Sequence, residues 1–413
     1  MNIRRIGHHL AIILLCVQGY DALGQSWIQT SAPETGWNSL ACSADGSRIV
    51  AASCCSADTG YRGFLYISTN AGTSWTICNS PPTNYTGVAM SADGVTLMAS
   101  TFQGILFSSR NGGNDWTTIV SPGSGLYNIA CSADGSTWVC GSLYGFLIST
   151  DAGLNWTFNT NQVVIGPVVC SANSNRLAGC QGGTIFTSTN DGATWQPSGA
   201  QKPSGAPNGF SLVAGSADLA DLISAVTIPS SGFDTSCSVV FTSHDFGASW
   251  QQTSSPCLPG GAFAALTSSA QGKDLAALIR DSSTPVLTSM DGGATWWYNA
   301  VSGAENWIAG SYIRPLASSA DGKRLVVAGW SAGIYTWHTT PSPELKAKLE
   351  NGSLAGFWLV PSTKFVLQQS SDMGTSGWTD VTTLPSFDPT TLEYQFRPKG
   401  GGTMFYRLAL AEP

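Results

Sequence analysis

The sequence predicts an all-β protein in which a four-stranded unit is repeated around a closed ring. Two short motifs recur along the chain, an eight-residue motif in six copies and a four-residue motif in seven. Recurrence at intervals of roughly forty residues is typical of a repeat architecture, in which each unit is one small supersecondary structure. A strand-like segment near the N-terminus is the third observation, because it fits the position that is missing from the last unit.

The eight-residue motif has the consensus Ser-x-Asp/Asn-x-Gly-x-x-Trp. Its copies span 68–75, 109–116, 149–156, 188–195, 243–250 and 289–296. Each copy follows a short apolar run, such as Phe64–Ile67, which is typical of a buried strand. The Asp or Asn favours a turn because its side chain can bond its own backbone, and the Gly permits a positive φ. Because both Asp and Asn occur at this position, we interpret the motif as a turn stabiliser and not as a metal ligand or catalytic acid.

The four-residue motif is Ser-Ala-Asp-Gly. It spans 43–46, 91–94, 132–135 and 319–322, with weaker forms at 171–173, 216–218 and 269–272. Asp-Gly between two apolar stretches is a strong signal for a β-hairpin. Each unit is therefore predicted to contain an inner strand, the Ser-Ala-Asp-Gly turn, two further strands, the Trp-ended turn and an outer strand.

Closure of the ring follows from the number of motifs. Seven inner strands but only six Trp-ended turns leave the last unit one strand short, and the segment Ser26–Thr30 is expected to supply it. The sequence therefore predicts a seven-bladed β-propeller whose N-terminal strand closes the last blade, together with a small C-terminal β-sandwich-like domain. Closure removes the free sheet edges that promote aggregation.

The eight-residue motif resembles the Asp-box, or BNR, repeat of a propeller superfamily. That superfamily includes sialidases, xyloglucan hydrolases, sortilin-type receptors and photosystem II assembly factors. The resemblance implies the propeller fold. Enzymes and non-enzymes share the motif, so the resemblance does not select an activity.

The N-terminus is interpreted as a secretory signal peptide, because two arginines precede a short apolar run and then small residues. The predicted boundaries are 1–24 for the signal peptide, 25–341 for the propeller, 342–350 for a linker and 351–413 for the small β domain. The apolar run is too short for a membrane span. The protein is therefore expected to be secreted, periplasmic or at the cell surface.

The cysteine content is compatible with disulfides in an exported chain. The chain has eleven cysteines, of which Cys16 lies in the predicted signal peptide. An even number remains in an exported chain, which favours disulfides. The candidate pairs are Cys237 with Cys257 and Cys131 with Cys140, and Cys54 and Cys55 are adjacent in sequence. Free cysteines that pack in strands are the alternative.

Charge and composition limit the partners. The net charge is −7 and charged residues make up 10% of the chain, without a basic stripe, so nucleic acid is not an expected partner. No Cys-x-x-Cys or Ser-His-Asp pattern is present, and the sequence predicts no metal and no cofactor. A monomer is expected, with a glycan or a protein as its ligand.

In a propeller of this kind both turns lie on one face of the ring, here called the turn face. The opposite loop face carries the links between blades and the loops between second and third strands, and a ligand site is expected there. Arg62, Arg280 and Arg314 are predicted on the loop face of three consecutive blades. Guanidinium groups bind carboxylate or sulfate bidentately, so their convergence would create a site for an acidic ligand. Local pairing of three surface arginines is the alternative.

Aromatic and acidic residues complete the set of candidates. The aromatic residues predicted to contact a ligand are Trp37, Trp307 and Tyr312, and Tyr85, Tyr127, Tyr144 and Trp330 also lie in or beside loop-face segments. The candidates for catalysis are Glu34, Asp281 and Glu305. The segment Tyr312–Ala317 resembles, with two residues transposed, the Tyr-Arg-Ile-Pro strand of sialidases, in which the Arg binds the sugar carboxylate.

The main functional prediction is an exported, non-catalytic propeller that binds a glycan or a protein on its loop face. A sialidase-like glycosidase that acts on acidic sugars through the three arginines is one alternative. An assembly factor that holds a client protein is the other. Convergence of the three guanidinium groups beside Glu34 or Glu305 would favour the glycosidase.

Overall fold

Every regular element of the described chain is a β-strand, which confirms the all-β prediction. The computed structural model describes residues 12–13, 27–54, 62–160, 166–200, 209–228, 237–255, 263–279, 285–301, 315–329, 333–338, 345–350, 353–359, 365–371, 377–382, 385–388, 393–398 and 404–410. These residues contain no helix that is long and apolar enough to cross a membrane.

Seven four-stranded antiparallel sheets account for the strands from β2 to β29. The chain begins with β1 (Ile12–Ile13) and β2 (Ile28–Gln29). Sheet 1 contains β3–β6 (Gly36–Cys42, Ile49–Cys54, Leu65–Ser68, Thr76–Ile77), and sheet 2 contains β7–β10 (Tyr85–Met90, Leu97–Thr101, Ile105–Ser109, Thr117–Val120). Sheet 3 contains β11–β14 (Leu126–Cys131, Trp138–Ser142, Gly145–Ser149, Thr157–Asn159), and sheet 4 contains β15–β18 (Val168–Cys170, Leu177–Gln181, Thr184–Ser188, Gln196–Pro197).

The remaining three sheets of this series follow the same order. Sheet 5 contains β19–β22 (Phe210–Gly215, Leu222–Ile228, Cys237–Ser243, Gln251–Gln252), and sheet 6 contains β23–β26 (Phe263–Ser268, Leu275–Ile279, Pro285–Ser289, Trp297–Ala300). Sheet 7 contains β27–β29 (Leu316–Ser318, Arg324–Ala328, Ile334–His338) and takes β2 as its fourth strand. In that pairing Ile28 lies opposite Thr336, and Trp27 packs 6.2 Å from Trp337.

The seven sheets pack against one another in a circle. A separate apolar cluster lies between each sheet and the next, and the cluster between sheet 7 and sheet 1 completes the series. Small and β-branched residues dominate the second strands, such as Ile49–Ala52, which are fully buried because both faces of each sheet are covered. The core is therefore a ring of inter-sheet layers.

A ring of backbone hydrogen bonds surrounds the axis at the Ser-Ala-Asp-Gly turns. The alanine N–H of each turn donates to the alanine carbonyl of the next turn, and the last alanine donates to the first. The seven alanines are Ala44, Ala92, Ala133, Ala172, Ala217, Ala270 and Ala320, with N···O distances of 2.6 to 2.9 Å. The ring is closed without a gap, so it joins all seven sheets around the axis.

Both kinds of turn lie at the same end of their sheets, because they are hydrogen-bonded to each other. In sheet 1 the Ala71 N–H donates to the Ser47 carbonyl at 2.7 Å, and equivalent bonds occur in sheets 2, 3, 5 and 6. In the eight-residue motif of sheet 3, Ser149 Oγ accepts the Gly153 N–H and donates to Asp151 Oδ1. The motif is therefore a turn held by its own side chains, as its composition suggested.

Two further four-stranded sheets form the C-terminal part. Sheet 8 contains β30 (Lys346–Glu350), β31 (Ser353–Leu359), β34 (Ser386–Asp388) and β35 (Glu393–Phe396), and sheet 9 contains β32 (Phe365–Ser370), β33 (Thr379–Asp380) and β36 (Phe405–Leu410), with β1 parallel to β36. They share an apolar cluster that includes Trp358 and Tyr406. The expected linker 342–350 needs correction, because residues 346–350 pair with β31 and are the first strand of this part.

The C-terminal part contacts the ring on the turn face. Tyr394 of β35 packs against the cluster formed by Ala44, Ala320 and other alanines of the hydrogen-bonded ring, and its phenol stacks 5.5 Å from Trp358. Its phenolic pKa is raised by burial and, to a smaller extent, by Asp45 on the turn. Sheet 8 therefore covers part of the axial opening on this side.

Six cysteines whose side chains the structure describes are free. They are Cys42, Cys78, Cys131, Cys140, Cys170 and Cys180. The predicted Cys131–Cys140 pair is wrong, because Cys131 lies opposite Trp138 and Cys140 lies opposite Ile129 in the β11–β12 register. These thiols act as small packing residues. Cys257 and Cys55 lie outside the described residues, so the pairings that involve them stay predictions.

Candidate functional site

A β-bulge near the start of the inner strand decides which side chains reach the loop face. In sheets 2, 3, 5 and 6 the pairing of the inner strand shifts by one residue just after its first residue, and in sheet 1 it shifts after the second residue. A bulge inserts one unpaired residue and re-aims its side chain. The residue before the bulge is buried in all five sheets: Trp37, Tyr85, Leu126, Phe210 and Phe263. The bulged residues are Asn38, Thr86, Tyr127, Ser211 and Ala264, all of which retain some exposure.

Trp37 is therefore a core residue, and its predicted contact with a ligand needs correction. Its indole has no exposed surface and meets Tyr66 edge to face at 5.3 Å in the layer between sheets 7 and 1. Tyr85 holds the same position in sheet 2 and is equally buried, with its hydroxyl donating to the Pro81 carbonyl at 2.6 Å. A large ring at this position fills the space between adjacent sheets.

Tyr127 differs because it occupies the bulge itself. Three exposed rings lie on the loop face of sheets 2 and 3 and are together called the aromatic patch: Phe102 is 44%, Tyr127 is 37% and Tyr144 is 60% exposed. Phe102 lies in the β8–β9 loop and Tyr144 in the β12–β13 loop. The Phe102 and Tyr127 rings are 5.7 Å apart at an angle of 69°, which is a favourable edge-to-face arrangement.

Backbone hydrogen bonds hold the loops of the aromatic patch in place. The Gly125 N–H donates to the Phe102 carbonyl at 2.7 Å, and the Leu143 N–H donates to the Gly125 carbonyl at 3.0 Å. Gly125 has a φ of +69°, and a Cβ atom there would lie 3.0 Å from Leu143, so a side chain would disturb the loop. The patch is thus a pre-ordered apolar surface, which lowers the entropy cost of binding a partner.

The arginine site cannot be assembled from the described residues. Arg62 is exposed in the β4–β5 loop, next to the bridge between Gly63 and Thr83. Glu34 is exposed between β2 and β3. The other candidates, Arg280, Asp281, Glu305, Trp307, Tyr312 and Arg314, lie outside the described residues, as does Trp330. The convergence of three guanidinium groups therefore stays a prediction.

The axial channel offers a second concave surface, with little chemistry in it. A cavity of about 350 Å³ is lined by small residues of the inner strands and turns, together with Cys42, Cys131 and Cys170. Burial raises the thiol pKa to about 12 for Cys42 and for Cys170, and raises that of Cys131 well above its ordinary value. A thiol is nucleophilic only as thiolate, so these side chains act as neutral lining. The lining residues include no charged group.

Phe102 was missed in the sequence, although a signal was present. Its loop, Thr101–Gly104, aligns with Ser142–Gly145 of the next unit, where Leu143 takes the place of Phe102. Two consecutive units thus place apolar residues in a loop that is expected to be polar. Alignment of the inner strands would also have separated the buried rings from Tyr127, because the buried position holds a large apolar residue in every bulged strand.

Comparison with known proteins supports the fold and leaves the activity open. No protein-family model matches the chain, and no curated protein matches it. A GH74 xyloglucanase from Xanthomonas campestris has a similar structure, with a TM-score of 0.56 and 15% identity over 81% of this chain and 60% of that chain. This chain thus spans less than two thirds of that enzyme.

Two structures of YCF48 are also similar. One, bound to D1 peptide, has a TM-score of 0.55 and 16% identity over 78% of this chain and 97% of that chain. The other, from Cyanidioschyzon merolae, has a TM-score of 0.52 and 14% identity over 76% of this chain and 98% of that chain. At these identities the likeness confirms a β-propeller fold and nothing finer.

Proposed function

We propose that the chain is an exported, non-catalytic, seven-bladed propeller that binds a segment of a protein through the aromatic patch. The observation that carries the proposal is the exposure of three rings, Phe102, Tyr127 and Tyr144, on loops that are already ordered by backbone hydrogen bonds. Tyrosine and phenylalanine are enriched in protein interfaces because they bury a large area at a low entropy cost.

The geometry of the rings favours a protein over a glycan. Phe102 and Tyr127 are inclined at 69° in an edge-to-face contact, so together they present an angled apolar surface to a side chain and share no flat platform for a sugar ring. The loop that contains Leu143 adjoins the Tyr127 strand, because the Leu143 N–H donates to the Gly125 carbonyl. Among structures of similar fold, YCF48 holds a D1 peptide, which supports a protein ligand, whereas the xyloglucanase supports the glycan alternative.

The test compares binding by the full chain to an immobilised peptide array and to a glycan array. Wild-type protein is expected to bind a subset of peptides, and the double substitution F102A/Y127A is expected to weaken that binding by about tenfold or more, since buried aromatic anchors dominate interface energies. The matched control is Leu154→Ala, because Leu154 is an apolar side chain, 70% exposed, on the opposite face.

The outcomes separate the alternatives. Peptide binding that F102A/Y127A removes and L154A retains supports the proposal. Binding to glycans alone, release of free acidic sugar from a glycan, or peptide binding that is equally strong in F102A/Y127A would each contradict it. N-terminal sequencing of the protein recovered from outside the cytoplasm tests export, with Gln25 expected as the first residue.

A further inference from the structure

The aromatic patch carries hydrogen-bonding groups that the fold itself does not use. The hydroxyls of Tyr127 and Tyr144 make no hydrogen bond to any residue that the structure describes, and neither does the exposed carboxamide of Gln103 beside Phe102. Tyr85 differs, because its hydroxyl donates to the Pro81 carbonyl inside the fold. A partner that covers the patch therefore meets free side-chain donors as well as aromatic rings.

The backbone of the same loops is engaged within the protein. The Ser121 N–H donates to the Gly104 carbonyl at 3.0 Å, and Ser142 Oγ donates to the Ser124 carbonyl at 2.7 Å. These bonds add to the two that Gly125 makes. A partner that adds a strand needs a row of unpaired backbone groups along a sheet edge, which these loops do not form. Recognition at the patch therefore falls to side chains.

The loops that carry or adjoin the rings have no charged side chain. Residues 101–105, 121–126 and 142–145 contain no Asp, Glu, Lys, Arg or His. An ionised side chain that is pressed against this surface loses water and gains no opposite charge, which costs free energy. The segment that the patch accepts is therefore uncharged where it makes contact.

Free donors on the patch favour a partner with free acceptors. An α-helix uses its carbonyl groups in internal hydrogen bonds, so its sides offer few acceptors. A polyproline II segment has no internal hydrogen bonds, so its carbonyl groups remain available. Each proline also supplies a rigid apolar ring and no backbone N–H that would need an acceptor. A proline-rich segment thus combines the apolar surface and the acceptors that suit this patch.

We propose that the aromatic patch binds a proline-rich protein segment in the polyproline II conformation, with proline rings against Phe102, Tyr127 and Tyr144 and carbonyl groups on the free hydroxyls. The inference rests on the proposed function, because it names the partner of that same surface. Such a segment advances about 3.1 Å per residue, so a few residues extend from the loops of sheet 2 to those of sheet 3. Its conformation exists before binding, which lowers the entropy cost.

The experiment titrates the full chain with octaproline that is acetylated and amidated at its ends, and follows binding by calorimetry. A glycine–serine octapeptide with the same end groups is the comparison, because it has free carbonyl groups without the rings or the fixed conformation. Octaproline is expected to bind, and the comparison peptide to bind at least about tenfold more weakly. The affinity for octaproline should agree within about twofold at low and at high salt, since salt screens only charges.

The double substitution Y127F/Y144F removes both hydroxyls and keeps both rings. It should weaken octaproline binding by about tenfold, because one hydrogen bond contributes roughly threefold to tenfold in affinity. The matched control is Tyr66→Phe, which removes a hydroxyl from a ring that packs against Trp37 between sheets 7 and 1. This control should bind octaproline as wild type does. Thermal unfolding of both variants checks that they are folded.

Four results would overturn the proposal. They are the absence of octaproline binding, equal affinity for the glycine–serine peptide, wild-type affinity in Y127F/Y144F, and a steep loss of affinity with salt. Failure of this inference is distinguishable from failure of the proposed function. If F102A/Y127A abolishes binding to arrayed peptides that contain no proline, the patch is a protein site and the proline-rich partner is refuted. If no arrayed peptide binds, both are refuted.

Discussion

The turn face of the ring repeats the same structure in successive sheets, whereas the loop face varies from sheet to sheet. On the turn face the same bonds recur from sheet to sheet: Ser68, Ser109, Ser149, Ser188, Ser243 and Ser289 each accept a glycine N–H at 2.8 to 3.0 Å. On the loop face the corresponding loops differ, and among the loops that the structure describes, those of sheets 2 and 3 present the aromatic patch. Repetition therefore marks what the fold needs, and departure from the repeat marks where a ligand can be recognised.

The third position of the eight-residue motif shows how strictly the turn face repeats. Asn70 and Asp245 hold the same place, and each accepts the backbone N–H four residues later through Oδ1. The side chain of the same later residue, Ser74 or Ser249, completes the turn in both cases. The amide of Asn70 and the carboxylate of Asp245 thus stabilise the turn in the same way. The carboxylate is therefore not needed as an acid on this face.

The largest expected effect on stability is the contrast between a buried and an exposed aromatic residue near the loop face. Trp37→Ala removes a fully buried indole and should reduce the free energy of unfolding by about 3–5 kcal/mol. Tyr144→Ala removes an exposed ring and should change it by less than about 0.5 kcal/mol. Denaturant unfolding of both variants measures the contrast. A similar loss of unfolding free energy in the two variants would contradict the assignment of Trp37 to the core and of Tyr144 to the exposed patch.

A smaller effect is expected on the turn face. Ser149→Ala leaves the buried Gly153 N–H without its acceptor, which should cost about 1–3 kcal/mol in the free energy of unfolding. The exposed Ser124→Ala on the loop face is the matched control and should be neutral within about 0.5 kcal/mol. Thermal unfolding at neutral pH measures both. A neutral Ser149→Ala variant would show that the repeated hydroxyl is dispensable.

The smallest expected effect on stability is seen only at acidic pH. Hydrogen bonds from Ser249, first its side chain and then its backbone, lower the pKa of Asp245 to about 2, and the Thr295 side chain is the main cause of the lowered pKa of Asp291. A lowered folded-state pKa stabilises the protein above the ordinary carboxyl value, near 4, and this contribution is lost as the pH falls towards 2.

The double substitution D245N/D291N should remove this acid dependence, because Asn70 and Asn190 already form the same bonds to Ser74 and Thr194. The variant and the wild type are expected to melt at similar temperatures at pH 7, and the wild type should lose more of its stability between pH 4 and pH 2. Melting curves across that range are the measurement. Parallel acid profiles would contradict the role assigned to the two carboxylates.

Sequence reasoning succeeded where a local rule determines structure. Asp-Gly and Asn-x-Gly turns are set by four to eight residues, so the hairpins and their common face followed from the motifs. It failed at Trp37, because the burial of that ring depends on a bulge between two strands and on a neighbouring sheet far away in sequence. The linker failed for the same reason, since Lys346–Glu350 becomes a strand only through its pairing with β31.

The ring of alanine hydrogen bonds has an electrostatic consequence. Each N–H points to the next carbonyl in the same sense around the axis, so the peptide dipoles run head to tail in a circle. Dipoles aligned along a line, as in a helix, sum to a partial charge at each end. Dipoles arranged in a closed circle cancel, and every donor and acceptor of the seven alanines is already used. The seven alanines therefore leave no unpaired N–H and no dipole end around the axial opening on the turn face with which to attract an ion.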